Sequence, residues 1–249
     1  MRAEELIYDW NRGTTKSRNG RPVQLVDETL RDGLQGGVPR MPSLEQKLEL
    51  LELTASLGIA EATVGFPAQR EAYDQVVALC KGAMERGYDL RFGLLGRMVE
   101  PDIRAIHRAR EESGAVVAAW LFLGASPIRR YAEKWDRERL ETMARKSFAL
   151  ARELELPVNF GIEDSTRTEP EFVESLIRIA ADERVETVTI CDTVGHLTPA
   201  GTRRMIGEYR QFLDSNGFDI QLDFHGHEDR GLSLANSLAA IDEDRKSVV

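Results

Sequence analysis

The sequence predicts an α/β fold, a TIM (β/α)8-type barrel that is truncated after its seventh βα unit. Three observations point there. From about residue 22 onward, short apolar runs alternate seven times with longer amphipathic stretches. Such alternation implies parallel strands joined by right-handed crossovers. The units recur at even intervals with no evident interdomain linker, and polar residues fall repeatedly just after the strand-like runs. A barrel gathers all of those strand ends on one C-terminal face, whereas a doubly wound sheet would scatter them along an edge.

Residues 1–21, polar and mixed in charge, read as an N-terminal extension, with the barrel over 22–249. The strand-like runs are VQLVDE (23–28), EATVGF (61–66), LRFGLL (90–95), VVAAWLFL (116–123), PVNFGIE (157–163), TVTICD (187–192) and IQLDFH (220–225). Their helical partners fall at roughly 43–57, 69–86, 100–113, 135–155, 169–182, 199–216 and 230–241. The first of these, SLEQKLELLELTASL, opens on Ser43 as N-cap and carries Leu44, Leu48, Leu51 and Ala55 at the spacing of one buried face. Gly58 ends it. Thr168 is placed to cap the helix whose first turn contains Pro170. After Ala240 the chain reads IDEDRKSVV, leaving an eighth unit absent or reduced to KSVV, and the two unpaired edges predict a homodimer.

Composition narrows the function. An apolar fraction of 42% with 30% charged residues suits a globular core. The net charge of −9, with no basic stripe, argues against a grip on nucleic acid. There is no long apolar run and no signal-peptide core, which predicts a cytoplasmic protein without membrane contact. Cys80 and Cys191 have no metal or disulfide spacing and read as buried thiols.

The chemistry-bearing residues sit at the strand ends. In DFHGHEDRG (223–231), alternation on a strand would project His225 and His227 from one face, either as two metal ligands or as a solvated pair. LVDETLRDGLQGG (25–37) supplies Asp27, Glu28, Arg31, Asp32 and Gln35 before glycines suited to a tight loop. A solvated loop with a surface salt bridge is its bland alternative. After the fifth and sixth runs come Glu163, Asp164 and Arg167, then Asp192, Thr193 and His196, any of which could equally serve turns and caps.

Taken together, RDGLQ after strand one, the Glu-Asp-x-x-Arg of EDSTR after strand five, DTVGHLTP after strand six and HGHEDRG with AN at strand seven resemble the DRE-TIM metallolyase (HMGL-like) family over about residues 22–241. The resemblance implies that Asp32, His225 and His227 bind a divalent metal (Mg, Mn or Zn) and that Arg31 faces the substrate oxygen. It also implies that Glu163 and Thr193 contact a 2-oxo acid, with Gln35, Arg97 and Ser126 as further pocket residues and Asn236 in support. Within the family, LVDETLRDGLQ, SPIRRYAEKW (126–135) and CDTVGHLTP look more like the 2-isopropylmalate synthase branch than the lyases. That branch implies Claisen condensation of acetyl-CoA with a metal-bound 2-oxo acid, as in leucine-type biosynthesis. Carbon-carbon cleavage as in hydroxymethylglutaryl-CoA lyases is one alternative, and an inert partial barrel is another. Two departures stand out. Thr63 replaces the glutamate that the family usually carries on strand two, removing the acid expected beside the arginine, and the Gly-x-Gly-Glu-Arg segment expected near strand eight does not occur.

Overall fold

The computed structural model describes residues 23–243, so the N-terminal extension over 1–21 and the KSVV tail lie outside the described residues. All seven predicted strands are present: β1 (Val26–Asp27), β2 (Glu61–Gly65), β3 (Arg91–Arg97), β4 (Val117–Gly124), β5 (Val158–Glu163), β6 (Thr187–Asp192) and β7 (Gln221–Gly226). They form one all-parallel sheet in sequential order. The helices are α1 (Asp32–Gln35), α2 (Leu44–Ser56), α3 (Arg70–Glu85), α4 (Glu100–Ser113), α5 (Pro127–Glu133), α6 (Arg137–Glu153), α7 (Pro170–Asp182), α8 (Pro199–Ser215) and α9 (Ser233–Glu243). None of the described helices is long and apolar enough to cross a membrane.

The sheet is curled. Laid flat, seven strands at about 4.8 Å spacing would hold the first and last roughly 29 Å apart. Instead Asp32, just after β1, lies 3.7 Å from His225 of β7. The strands thus make a barrel wall that, among the described residues, stays unpaired between β1 and β7.

Period-two alternation gives this wall two chemically different sides. One side is apolar and packs outward on the helices. Phe92, Leu94, Leu121, Phe160, Ile162, Val188, Ile190, Leu222 and Phe224 are all essentially inaccessible, and Phe160 meets Phe148 of α6 edge to face at 5.1 Å. The inward side alternates with it and carries Thr63, Gly93, Trp120, Asn159, Thr189, Cys191, Asp223 and His225. Its polar groups satisfy one another: the Thr189 hydroxyl lies 2.6 Å from Asn159 Oδ1 and 2.7 Å from Asp223 Oδ2, and Trp120 Nε1 donates to Glu61 at 2.8 Å. Gly93 fits into this layer because it has no side chain. A Cβ there would come within 2.7 Å of both the Thr63 methyl and Trp120 Nε1. Gly93→Ala is expected to destabilise the fold by about 1–3 kcal/mol through overpacking, read as a lower urea midpoint at unchanged slope.

Several elements differ from the sequence expectation. β1 is two residues long rather than six; among the described residues it pairs with β2 alone, and Leu25 is exposed. The RDGLQ stretch is a helical turn, α1, instead of an open loop. α5 occupies residues expected to be a loop. Thr168 does not cap α7: its hydroxyl donates to the Asp164 carbonyl at 2.8 Å, and Glu169 takes the N-cap position without a side-chain bond. In α2 the Ser43 cap is present as a reciprocal box with Gln46, and Gly58 follows its end at φ 77°. Its inner face is Leu48, Leu51 and Thr54, while Leu44 in the first turn lies outside the packing.

Candidate metal centre

Asp32, His225 and His227 come together at the C-terminal mouth of the barrel, and the ligand atoms they offer all lie within 4.8 Å of one another. Asp32 is brought there by α1, whose entry is fixed by the Glu28 carbonyl accepting from Arg31 N at 3.2 Å and Gly33 N at 3.1 Å. His225 is the penultimate residue of β7. His227 stays on the same side because its N–H donates to the Asp192 carbonyl at 3.3 Å, extending the β6–β7 pairing past the strand end. Asp192 is itself fully buried and ties down the following loop through the N–H groups of His196 and Leu197. Asn236 of α9 donates to the Leu197 carbonyl at 3.1 Å, so it supports the loop that supports His227.

Gly195 closes this support. It has φ 56°, and a Cβ on it would meet the His227 carbonyl at 2.9 Å. Gly195→Ala both strains the backbone and pushes on the segment that carries His227. The expected result is a roughly 10–100-fold weaker affinity for a divalent cation by calorimetry. Unchanged affinity would mean that this loop does not set the histidine.

The donor set suits a cation. His225 Nε2 and His227 Nε2 are 3.2 Å apart, and they lie 3.7 and 3.9 Å from Asp32 Oδ2. An ion at the usual ligand distance of about 2.0–2.2 Å from each would span ligand pairs of about 3–4 Å, and all three separations fall there. Burial, followed by the Arg31 cation, pushes the His225 imidazole down to about 4. A neutral ring at pH 7 has a lone pair to offer.

Beside this cluster, Arg31 bridges two carboxylates. Its Nη1 lies 3.0 Å from Asp32 Oδ1, and its Nη2 contacts Glu28 Oε2. Glu28 also accepts from the Thr63 hydroxyl at 2.5 Å. The expectation that Thr63 leaves the arginine without an acid is therefore corrected: the acid comes from the end of the first strand. Burial raises the Glu28 carboxyl, and the Arg31 cation and the Thr63 hydroxyl pull against it. The Cys191 thiol is also pushed up, first by burial and then by Asp223, with the charges of Arg31, Glu163 and Glu28 all reaching it. Charges from the segment after β1 and from β5 and β7 thus act on one thiol of β6. Cys80 is buried as well, and burial raises its thiol to about 12.

Glu163 ends β5, and burial raises its carboxyl against the pull of Arg129. Thr193 sits just past β6, where its hydroxyl accepts from Asp164 N at 2.8 Å and links two strand ends. The other sequence candidates are placed differently. Gln35 is exposed at the end of α1. Arg97 is held by buried Asp102, which accepts from its backbone N–H at 2.9 Å and from Nε at 2.8 Å. Ser126 is fully buried and caps α5 by accepting from Arg129 N at 3.4 Å. Sequence reasoning assigned no role to Glu28, and only its place within a dense polar stretch marked it.

Comparison with known proteins agrees with this architecture. A family model described as HMGL-like matches residues 22–248. A 2-isopropylmalate synthase from Stenotrophomonas maltophilia (strain K279a) is 33% identical over 239 residues, 94% of this chain and 45% of that protein. One from Xylella fastidiosa (strain M23) is 32% identical over 228 residues, 91% of this chain and 43% of its own. The chain therefore spans less than half the length of these curated relatives. Among solved structures, hydroxymethylglutaryl-CoA lyase from Pseudomonas aeruginosa superposes with a TM-score of 0.73 at 21% identity, covering 91% of this chain and 75% of that one. That likeness speaks for the fold alone. With a family match across nearly its whole length, the chain belongs to the HMGL-like family.

Proposed function

We propose that this chain carries the active site of an acyl-CoA-dependent Claisen condensation. In it the enolate of acetyl-CoA adds to the ketone carbon of a 2-oxo acid, and hydrolysis of the thioester gives an alkylmalate. The observation that carries the reading is the contact of Arg31 with Asp32 at the edge of the two-histidine cluster. The relatives' name, 2-isopropylmalate synthase, supports a 2-oxo acid as substrate, and 2-oxoisovalerate is our first candidate.

Asp32, His225 and His227 would hold a divalent cation, Mg, Mn or Zn, which supplies Lewis-acid polarisation of the ketone. Arg31, a permanent cation, faces the oxygen on which negative charge grows as the new carbon-carbon bond forms. Glu163, whose carboxyl burial raises, is the candidate to exchange a proton with the substrate. The Thr193 hydroxyl accepts from Asp164 N, so its own hydrogen is directed to another acceptor, and a substrate carboxylate fits. A homodimer in the cytoplasm completes the proposal.

Release of free coenzyme A thiol tests the reading. Purified protein with acetyl-CoA, a divalent metal and a panel of 2-oxo acids is expected to release thiol most rapidly with 2-oxoisovalerate and to stop when a chelator is added. Cleavage of hydroxymethylglutaryl-CoA without condensation would replace this reading with the lyase one. Silence with metal bound would point to an inert barrel.

A further inference from the structure

The fork of Arg31 is divided between two carboxylates. Nη1 meets Asp32, Nη2 meets Glu28, and Nε has no hydrogen-bond partner among the described residues. An arginine held by both teeth of a bidentate carboxylate is fixed by one neighbour, whereas this one is fixed only if both of its acids stay in place. Asp32 is itself a candidate ligand, so a second anchor is required whenever its charge is shared with a cation. Glu28 has the attributes of that anchor. It follows the β1 residues Val26 and Asp27, which pair with Glu61 and Ala62, so continuing the register places it opposite Thr63. Thr63 is wholly inaccessible in the inward layer and lends its hydroxyl to Glu28 Oε2, the same oxygen that Arg31 contacts. Glu28 Oε1, also buried, has no partner among the described residues. The single engaged oxygen is therefore held from two sides, by a cation from its own loop and by a neutral donor from the next strand.

We propose that Glu28 is a positioning residue which, oriented by the Thr63 hydroxyl, locks the Arg31 guanidinium toward the candidate metal centre. In this arrangement an acid on the first strand and a hydroxyl on the second do jointly what one longer acid at position 63 could do alone. The proposal rests on the functional reading only for why Arg31 matters, since the lock itself belongs to the metal-free protein.

The two positions can be exchanged. Glu28→Gln removes the charge and keeps the shape; Thr63→Glu places a carboxylate where the hydroxyl now stands. Thr63→Glu alone crowds two carboxylates against one guanidinium, so both single variants should loosen Arg31, and the double variant should restore it. In 15N-labelled, metal-free protein, the Arg31 side-chain N–H groups, assigned with Arg31→Lys, are expected to lose hydrogen-exchange protection by about tenfold in each single variant. Protection should return to within about threefold of the parent in the double variant. In the turnover assay, kcat should follow the same pattern, falling by about 10²-fold in each single variant, while KM for the 2-oxo acid changes far less. A double variant no better than the worse single, or Glu28→Gln with Arg31 protection unchanged, overturns the proposal. Should Glu28→Gln fail to fold, Thr63→Val removes only the hydroxyl donor and should lower protection in the same direction, and no change there overturns the proposal equally. A parent protein that turns over no 2-oxo acid would defeat the functional reading and leave the exchange measurement standing. An unmoved Arg31 in an active Glu28→Gln would do the reverse.

Discussion

Asp32→Asn is expected to weaken binding of a divalent cation by more than about 100-fold, because it removes the only carboxylate in the cluster. Asparagine keeps the side-chain shape but not the charge, so the Arg31 Nη1 contact with Asp32 Oδ1, now at 3.0 Å, weakens as well. The two imidazoles that remain, 3.2 Å apart, bring no negative charge to offset that of the ion. His225→Ala and His227→Ala should each lower affinity as well, and the effects should not add, since a single ion would be shared by all three groups. Calorimetric titration of chelator-treated protein reads the affinity, and a thermal melt reads the fold. The melt matters because Asp32 and His227 are partly accessible, so their loss should cost the apo fold little. By mass action, the parent alone should gain stability as metal is added. An Asp32→Asn protein that still takes up one metal ion with affinity within a few-fold of the parent would place the cation elsewhere and remove the basis of the proposed chemistry.

Much of this site was legible because strand alternation carries information about direction. His225 and His227 are two apart, and that spacing alone put them on one side of a strand. The fold then brought that side to Asp32 across the gap between β1 and β7. The seven βα units were legible for the same reason: apolar residues such as Val188 and Ile190 face the helices at every second position, and helices of thirteen residues or more show their period. The failures are the short or edge elements. α1 has four residues and α5 has seven, both below the length at which a 3.6-residue period can be recognised. α5 did carry a local start signal, Ser126 followed by Pro127, and that same serine was assigned to the substrate pocket because it follows a strand. Both readings used the position of Ser126; only coordinates reveal that its hydroxyl accepts from the Arg129 N–H. Arg97 is a parallel case, since nothing in a strand-end arginine shows that an aspartate five residues on will engage it. Pairings between side chains of adjacent strands, such as Thr63 with Glu28, depend on register to within one residue, and sequence periodicity does not fix register between parallel strands.

Arg31→Lys is expected to lower kcat by about 10²–10³-fold while leaving divalent cation affinity within a few-fold of the parent. The asymmetry follows from the geometry. Asp32 offers Oδ2 toward the histidines and Oδ1 toward Arg31, so the arginine touches a different oxygen of the ligand from the one nearest the histidines. Replacing it leaves the ligand atoms in place. Lysine keeps the charge but has one ammonium where arginine has a planar fork, and one ammonium cannot meet Glu28 Oε2 and Asp32 Oδ1 in the same fixed directions. The positive charge then sits nearer one carboxylate or moves between them, and it no longer aims at a fixed point over the cluster. An oxyanion gains little from a cation that must reorient as charge develops, because the cost of that reorientation is subtracted from the stabilisation. The KM of the 2-oxo acid should change less than kcat, since an interaction made only as charge grows is absent from the ground-state complex. Single-turnover kinetics with metal-loaded protein separates the two. If Arg31→Lys condenses substrates at the parental rate, the growing charge is met by some other group, and Arg31 serves only to join Glu28 to Asp32.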